Sequence, residues 1–381
     1  MNQKTIIEDI KDQIISGKLA PGDKLKGRTV YEKHYQTTTN TVQHAFTKLA
    51  DDGFIESFPR KGTYISQKPP HLKNYALLIY SDNIPEGWGD GNSYWKTIDR
   101  VCEEINKQGE IHLSIRIGIA PNYLSANYCK LLDDINARRI AGMLACMSLD
   151  LLKDTPIVDD KDIPIVSLVD KHQHGRPSIL VDGEGFYAKA IEKLAKLGRK
   201  RIAVICPHAV HANLFERLKP FADQHGVALK DIWIQAGDQK QPESIESLIQ
   251  LLLQGESEQR PDGIIITDDN FLEPACRGVI KTKLHCQDDL DIVAHANFPL
   301  EKDDLLPVYR LGFDIYDLIT KSIQILSDLR QKKEFISSIM IPATFNSFKS
   351  FNKEHRELWH SHPEEEETSE PKTLSEPVIQ M

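Results

Sequence analysis

The alternation of short apolar runs with helical stretches in the second part of the chain most strongly constrains its fold. Runs such as 75–80 and 201–206 have the length and composition of buried strands, and helical stretches such as 93–108 and 185–197 separate them. Strands joined by crossover helices form parallel sheets that helices cover on both faces. Because the pattern is too long for one such sheet, the sequence predicts a two-lobed, doubly wound α/β domain over 74–345.

The N-terminal part has a different pattern, in which short helical stretches precede a hairpin. The stretch 37–49 places Val42, Ala45, Phe46 and Leu49 at positions i, i+3, i+4 and i+7, which is one face of a helix. Its other face carries amides and hydroxyls, which are side chains that read base edges in a DNA major groove. An ordinary amphipathic surface helix has the same spacing, so its neighbours must decide between the two.

The neighbouring elements favour a winged helix-turn-helix over residues 1–68. A short helical stretch at 28–35 lies only a few residues before 37–49, as in helix-turn-helix motifs. After that stretch, two short strands flank Pro59-Arg60-Lys61-Gly62 and form a hairpin with a basic tip, the wing. Residues 1–68 hold eleven lysines and arginines against eight acidic residues, whereas the whole chain has a net charge of −9. This asymmetry suits a nucleic-acid-binding head on an acidic body.

The same pattern provides candidate DNA contacts. Short polar side chains of the helix 37–49 and its cap are candidates for contacting bases or backbone: Thr38, Thr39, Asn40, Thr41, Gln43 and His44. Residues of the preceding turn and of the wing are candidates for holding phosphates: Lys24, Lys26, Arg28, Arg60, Lys61 and Gly62. A single surface lysine or arginine is as often merely solvated, so the wing tip is the most specific of these signals.

Composition divides the chain further. Pro69-Pro70 cannot join a helix or a central strand, so 69–73 is predicted to be a linker. Residues 346–381 are rich in glutamate and poor in apolar side chains, which is typical of a disordered acidic tail. The six cysteines lack a Cys-x-x-Cys spacing and indicate buried free thiols in a reducing compartment. Charges near the N-terminus and the absence of long apolar runs predict a cytoplasmic protein with no membrane partner.

The sequence gives no sign of catalysis. It contains no pattern of nucleophile, base and orienting residue, and we assign no catalytic residue, cofactor or metal ligand. The chain is therefore not predicted to be an enzyme.

Residues 3–66 resemble the GntR family of bacterial repressors in the order of their elements. The matching residues are Pro21, Gly22, Leu25, Thr41, Val42, Ala45, Leu49, Gly53, Phe54, Ile55, Lys61, Gly62 and Thr63. The resemblance implies a winged helix that binds double-stranded operator DNA, in a protein that forms a homodimer. The three arginines that contact DNA in that family fall on Thr29, Thr39 and Gln43 here, so we expect a different operator.

Residues 74–343 resemble the sugar-sensing domain of LacI-type repressors, which is itself similar to periplasmic sugar-binding proteins. The similarity lies in 163–170, 197–205 and 267–277. It implies that a small sugar or polyol binds between the lobes, at the carboxyl ends of the strands. Carried over by position, the effector-binding candidates are Tyr94, Trp95, Asp170, Arg217, Asp268, Asp269 and Asn297. Arg217 aligns with the arginine that grips sugar hydroxyls.

Several of these candidates have a structural alternative. Trp95 suits an apolar core, Asp170 a local cap or ion pair, and Asp269 the N-cap of a helix. Taken together, the two resemblances imply a ligand-responsive transcription regulator similar to the arabinose-type mixed GntR/LacI repressors. Two alternatives stay open, namely a sugar-binding sensor with a vestigial DNA-binding head and an α/β enzyme that acts on a sugar.

Overall fold

The structure is a computed structural model of the chain. It describes residues 2–80, 93–120, 123–153, 155–159, 163–169, 176–238, 241–299, 304–333 and 338–345. The predicted tail at 346–381 and the candidate Asp170 lie outside these residues. In the described part of the chain, no helix is long and apolar enough to cross a membrane.

The head is a bundle of three helices with a hairpin. Its elements are α1 (Gln3–Ile15), α2 (Arg28–Tyr35), α3 (Thr39–Asp51), β1 (Ile55–Phe58) and β2 (Gly62–Ile65). The apolar face predicted for α3 is confirmed, since the buried residues of this helix are Val42, Ala45, Phe46 and Leu49. Helix α1 contributes Ile6, Ile10 and Ile14 to the same core. The amphipathic spacing of two helices therefore builds this core.

A short helix, α4 (Pro70–Lys73), joins the head to the first lobe. The prediction that Pro70 could not enter a helix was wrong. Pro70 stands in the first helical turn, where a missing N–H is no loss and the fixed φ of proline is already helical. Pro69 precedes it with an extended backbone.

The first lobe is a parallel sheet covered by helices. Its chain begins with β3 (Asn74–Ile79), α5 (Ser93–Lys107), β4 (His112–Ile117), the small hairpin β5 (Ile119–Ala120) and β6 (Tyr123–Leu124), and α6 (Ala126–Asn136). It continues with β7 (Gly142–Ala145), α7 (Pro156–Asp159), β8 (Ile165–Ser167) and β9 (Ser178–Val181). A later strand, β15 (Ser338–Ile341), returns to this sheet, whose order is β15-β9-β8-β7-β3-β4.

The second lobe repeats this architecture. Its elements are α8 (Gly183–Lys196), β10 (Arg201–Pro207), α9 (His208–His211), α10 (Leu214–His225), β11 (Ala228–Gly237), α11 (Ser244–Leu252), β12 (Gly263–Ile266), α12 (Leu272–Thr282), β13 (Asp291–Phe298), β14 (Tyr309–Asp314) and β16 (Thr344–Phe345). The strand order is β11-β10-β12-β13-β14-β16, and only the β14–β16 pairing is antiparallel. Helix α13 (Ile315–Arg330) leaves β14 and packs against β7, β8 and β9 of the first lobe. The predicted two-lobed parallel-sheet fold is confirmed.

Strand β14 was not recognised in the sequence, because Arg310 and Gly312 interrupt its apolar run. Gly312 is required by close approach of the chains, since a Cβ there would lie 1.8 Å from the carbonyl oxygen of Ala296 on β13. The prediction of buried cysteines was partly wrong. All six thiols are free, but Cys129 is exposed, because it lies off the buried face of α6.

Candidate nucleic-acid interface and interlobe site

Helix α3 presents most of its predicted polar face to solvent. Thr39, Asn40 and His44 are exposed, and Gln43 is half-buried, with its amide nitrogen 3.3 Å from the hydroxyl oxygen of Thr47. These side chains stand on a helix whose opposite face is fixed in the core, so the backbone that carries them is rigid.

Two of the predicted contacts have a structural task in the helix itself. The hydroxyl oxygen of Thr38 accepts a hydrogen bond from the backbone N–H of Thr41 at 3.3 Å. The two threonine hydroxyl oxygens also lie 3.0 Å apart. Thr38 is therefore the N-cap of α3, and Thr41 supports that cap.

The wing is a tight hairpin with a basic tip. Phe58 pairs with Gly62, so that three residues turn the chain, and the middle one, Arg60, has a left-handed backbone with φ of 63°. Gly62 has φ of 112°, which favours glycine. A Cβ at Gly62 would also lie 2.8 Å from Cε of Lys24, so the glycine lets the turn before α2 lie against the wing.

The turn before α2 pairs with the wing as an additional strand. Lys24 forms an antiparallel bridge with Tyr64, and the backbone N–H of Leu25 donates to the carbonyl of Thr63 at 2.9 Å. The Lys24 ammonium lies 5.6 Å from the centre of the Tyr64 ring. This pairing brings the basic residues of the turn and of the wing to one side of the head.

These residues line a groove of about 650 Å³ between the wing and the N-terminus of α2. Its side chains include five cations and no carboxylate: Lys24, Lys26, Arg28, Arg60 and Lys61. All five are exposed, and none pairs with a carboxylate in the described residues. Gly27, the N-cap of α2, provides no side-chain cap, which leaves the backbone N–H groups of Arg28 and Thr29 open to an anion, whereas that of Val30 donates to the carbonyl of Gly27 at 2.9 Å. Sequence reasoning missed this uncapped end, although the glycine before Arg28 was its signal.

A polar cluster lies where the two lobes meet, at the carboxyl ends of β12 and β13. Asp268 is buried and accepts hydrogen bonds from the backbone and the side-chain amide of Asn270 at 2.9 and 2.7 Å. The amide of Asn297, also buried, donates to Asp269 at 2.9 Å. Asn270 in turn accepts a hydrogen bond from the backbone N–H of Ser93 at 3.0 Å, at the start of α5 in the first lobe. Asn270 was not predicted, and it connects the lobes.

The aromatic pair at the start of α5 stands next to this cluster. The rings of Tyr94 and Trp95 are 4.8 Å apart, and both are half-buried against the core. Burial, with a contribution from the Cys146 thiol, raises the pKa of Tyr94 well above its ordinary value. The pair therefore follows directly on Ser93, the residue whose backbone bonds to Asn270 of the second lobe.

Arg217 lies on α10 and is already paired. Its guanidinium donates twice to one carboxylate oxygen of Glu184 on α8, at 3.0 and 2.5 Å, and it lies 5.8 Å from the centre of the Tyr187 ring. Burial raises the pKa of Tyr187 to about 12. Arg217 is therefore held by Glu184 and by the Tyr187 ring. Glu184 and Tyr187 were not predicted.

His295 is a further residue that sequence reasoning missed. It lies on β13, two positions before Asn297 and so on the same face, with its ring 5.7 Å from the rings of Phe186 and Phe313. Burial lowers the pKa of His295, although the carboxylates of Asp269 and Asp268 oppose the shift, so the ring is neutral at pH 7. Its Nδ1 atom is buried without a hydrogen-bond partner among the described residues. A polar residue at the end of an apolar strand was the available signal.

The structure brings most of the predicted interlobe residues together. Asp268, Asp269 and Asn297 lie at the lobe junction, and Tyr94 and Trp95 follow Ser93, which bonds to Asn270 there. Arg217 pairs instead with Glu184. Among the residues for which coordinates are described, no cluster of three or more His, Cys, Asp or Glu side chains is placed to hold a metal ion. The junction therefore offers hydrogen-bonding groups and aromatic faces, which is the lining of many small-molecule sites.

Comparison with known proteins separates the two parts of the chain. Residues 2–65 match the family described as "Bacterial regulatory proteins, gntR family". A mannosyl-D-glycerate transport/metabolism system repressor of Escherichia coli is 24% identical over 90 residues, which cover 24% of this chain and 38% of that protein. Catabolite control protein A of Priestia megaterium is 24% identical over 168 residues, covering 43% and 50% respectively. The chain thus spans half or less of the length of these relatives.

Solved structures of LacI-type regulators share the fold of most of the chain. The transcriptional regulator LacI from Bacillus cereus subsp. cytotoxis superposes with a TM-score of 0.54 at 18% identity, covering 71% of this chain and 95% of that one. A LacI family transcriptional regulator from Enterococcus faecium, solved with bound ribose, gives a TM-score of 0.53 at 17% identity, with 72% and 97% covered. The chain therefore carries a gntR-family helix-turn-helix domain at its N-terminus, followed by a two-lobed domain with the fold of LacI-type regulators.

Proposed function

We propose that this protein is a ligand-responsive transcription regulator, whose head binds operator DNA and whose two-lobed domain binds a small sugar or polyol. The observation that carries the proposal is the groove between the wing and α2, with five cations and no carboxylate. Unpaired cations beside an open helix N-terminus suit the phosphates of a DNA backbone. They lie on the side of the head that also presents the wing.

Base reading falls to the polar face of α3. Asn40, Gln43 and His44 provide amide and imidazole groups, and amides bind adenine in a bidentate way. Residues 29, 39 and 43 are not arginines here, so recognition of guanine by arginine at those positions is absent. We therefore expect an operator in which A·T pairs face the N-terminal half of α3.

The effector site is proposed at the lobe junction, with Tyr94, Trp95, Asp269, Asn297 and His295 as ligand contacts. Hydroxyl-rich ligands need donors and acceptors together with an aromatic face, and this junction has both. The ribose bound to the Enterococcus faecium relative supports a ligand of that size. Arg217 would have to exchange its Glu184 partner for the ligand. We include Asp170, which follows β8, as a further contact.

We propose head bounds of 1–68 and sensor bounds of 74–345, in a cytoplasmic homodimer. Two heads of a symmetric dimer bind two half-sites, whose centres are separated by about 10 base pairs or a multiple of it. A sugar regulates binding only through its different affinity for the two arrangements of the lobes.

The test is a selection of bound sequences from a random duplex pool with the full chain, followed by affinity measurements at several salt concentrations. We expect enriched sequences with two related half-sites and an affinity that falls steeply with salt. A parallel thermal-shift screen of monosaccharides identifies the effector, since a ligand at a hundred times its Kd adds about 2.7 kcal/mol of stability. No enrichment and no salt dependence, together with a stabilising sugar, would indicate a sensor with a vestigial head.

A further inference from the structure

The head contains a buried lysine. Lys11 lies on α1, and only 4% of its surface is exposed. Its ammonium is 2.8 Å from a carboxylate oxygen of Asp52, which is 6% exposed, and it stands 4.8 Å from the centre of the Phe54 ring. Because burial of an unpaired ammonium is costly, this arrangement persists only with its partners in place.

The first lobe contributes one partner to Lys11 and another to Asp52. The Lys11 ammonium donates to the carbonyl of Ala137 at 2.9 Å, where α6 ends. The guanidinium of Arg139 donates to the second carboxylate oxygen of Asp52 at 2.7 Å. A cation at a helix C-terminus also benefits from the helix dipole. Arg138 adds a pair with Asp12 of α1 at the exposed margin.

The charges continue into the first lobe in alternating sign. Arg139 also donates to Asp134 of α6 at 2.9 Å, and Asp134 accepts from Arg116 of β4 at 3.0 Å. Lys48 of α3 completes the set at 3.0 Å from Asp52. Despite burial, the hydrogen bonds from Lys11, Arg139 and Lys48 hold the pKa of Asp52 below its ordinary value. We name Lys11, Lys48, Asp52, Asp134 and Arg139 the Asp52 cluster.

A second attachment lies at α4. The rings of Phe54 and His71 stack with their centres 5.7 Å apart and their planes at 6°. Arg330, the last residue of α13, donates to the carbonyl of His71 at 2.6 Å and to the Tyr75 hydroxyl at 3.0 Å. Helix α13 begins directly after β14 of the second lobe, and its 16 residues span about 24 Å. One helix thus connects the second lobe with the attachment of the head.

Through Asp52, the first lobe contacts α3, the helix proposed to read DNA. Asp52 is the C-cap residue of α3, so the recognition helix itself is held at its end. Exposed ion pairs are weak and tolerate many orientations. A buried cation that has lost one partner is strongly disfavoured. The buried members of this cluster therefore tolerate few orientations of the head relative to the first lobe.

We propose that the Asp52 cluster is a latch that fixes the DNA-binding head on the first lobe, and that movement of the lobes reaches α3 through it. The second half of this statement rests on the proposed function, whereas the first half does not. In this account, the head does not swing on a flexible tether, and the 69–73 segment is held between Phe54 and Arg330.

The latch is tested in the full chain by the distance between two nitroxide labels on encoded ketone side chains, at the exposed Lys18 of the head and Lys130 of α6. The variant is Arg139→Gln, because Arg139 lies outside the head and its loss leaves the head core intact. The matched control is Arg201→Gln, since Arg201 has the same 24% side-chain exposure and pairs with Asp262 at 2.8 Å within the second lobe.

We expect one narrow distribution of the distance between the two labels in the wild-type chain and in Arg201→Gln. In Arg139→Gln we expect a clearly broadened distribution. An unchanged distribution in Arg139→Gln would overturn the latch, as would a broad distribution in the unchanged chain. Circular dichroism checks that each variant is folded. A second variant, Asp134→Asn, weakens only the lobe side of the cluster and is expected to give an intermediate width.

Transmission is tested by the effect of a bound sugar on DNA affinity. Allosteric coupling is typically 5- to 150-fold, and we expect Arg139→Gln to reduce the observed ratio at least about threefold while sugar affinity stays unchanged. An unchanged ratio would contradict transmission through the cluster. If the unchanged chain binds no DNA, the proposed function fails, but the distance measurement still decides whether the latch exists.

Discussion

Two faces of the same small head differ in how their charged side chains are exposed and paired. The groove between the wing and α2 holds five exposed cations without a carboxylate, whereas the face toward the first lobe buries Lys11 and Asp52 among partners of opposite sign. Exposed unpaired cations remain available to an external polyanion, and buried paired charges require a fixed internal neighbour. This contrast supports our two proposals, that the groove binds DNA and that the Asp52 cluster transmits movement of the lobes to the head.

The largest effect is expected from Asp52→Ala, which removes the carboxylate at the centre of the buried charges. The substitution leaves the Lys11 ammonium buried without its carboxylate, and we expect a loss of about 3–5 kcal/mol in the free energy of unfolding. Urea denaturation of the full chain measures it. Lys48→Ala removes an ion pair to the same carboxylate, but Lys48 is 49% exposed, so the cost should stay below about 1 kcal/mol. Equal losses in the two variants would contradict the distinction.

The next effect concerns pH at the attachment of the head. Burial, with a contribution from the nearby Arg330 charge, lowers the pKa of His71 to about 4. The unfolded chain therefore binds a proton below about pH 6.5 that the folded chain excludes until about pH 4, and stability falls as the pH is lowered through this window. We expect a loss of at most about 3 kcal/mol. The variant His71→Phe keeps a ring against Phe54 and should lose this pH dependence. If the free energy of unfolding declined equally with pH in both proteins, His71 would not be its cause.

On the exposed face, we expect the double variant Arg60→Ala/Lys61→Ala to weaken DNA binding by about 30-fold. The loss follows from two phosphate contacts, and the slope of log affinity against log salt should fall by about 2. Fluorescence anisotropy with the selected duplex measures both. The control Lys4→Ala/Lys18→Ala removes the same charge from exposed sites outside the groove. An equal loss in the control would mean that only net charge matters.

The smallest effect is expected from Gln43→Ala, which removes an amide from the exposed face of α3. A base contact of this kind is worth about 1–3 kcal/mol of discrimination and does not alter the salt slope. Binding to the selected duplex should weaken, and the preference at one base pair of each half-site should relax. Competition with singly substituted duplexes measures it. Unchanged discrimination at every position would remove Gln43 from the readers of sequence.

The elements of the fold were largely predictable because their signals are local. The apolar positions of α3 lie at helical spacing, and strands such as β3, β7, β10 and β12 are compact apolar runs. Strand β14 was missed because Gly312 interrupts its apolar sequence. The glycine is required there because the carbonyl of Ala296 on the adjacent strand leaves no room for a side chain. Such a reason exists only in three dimensions.

The sites were less predictable for the same reason. Sequence position indicated the wing cations and the aspartates at the ends of the strands, but Asn270, His295 and Glu184 acquire their importance from partners far away in the chain. Lys11 is the clearest example. It is a lysine on an amphipathic helix, and its burial depends on Ala137, which is 126 residues away.

The most direct test of the account is the affinity of the full chain for its selected duplex, with and without a saturating amount of the sugar that stabilises it most. If one chain couples the two sites, the Kd for DNA should change by about 5-fold or more, and DNA should change the Kd for the sugar by the same factor. An equal DNA affinity at zero and saturating sugar would contradict the account.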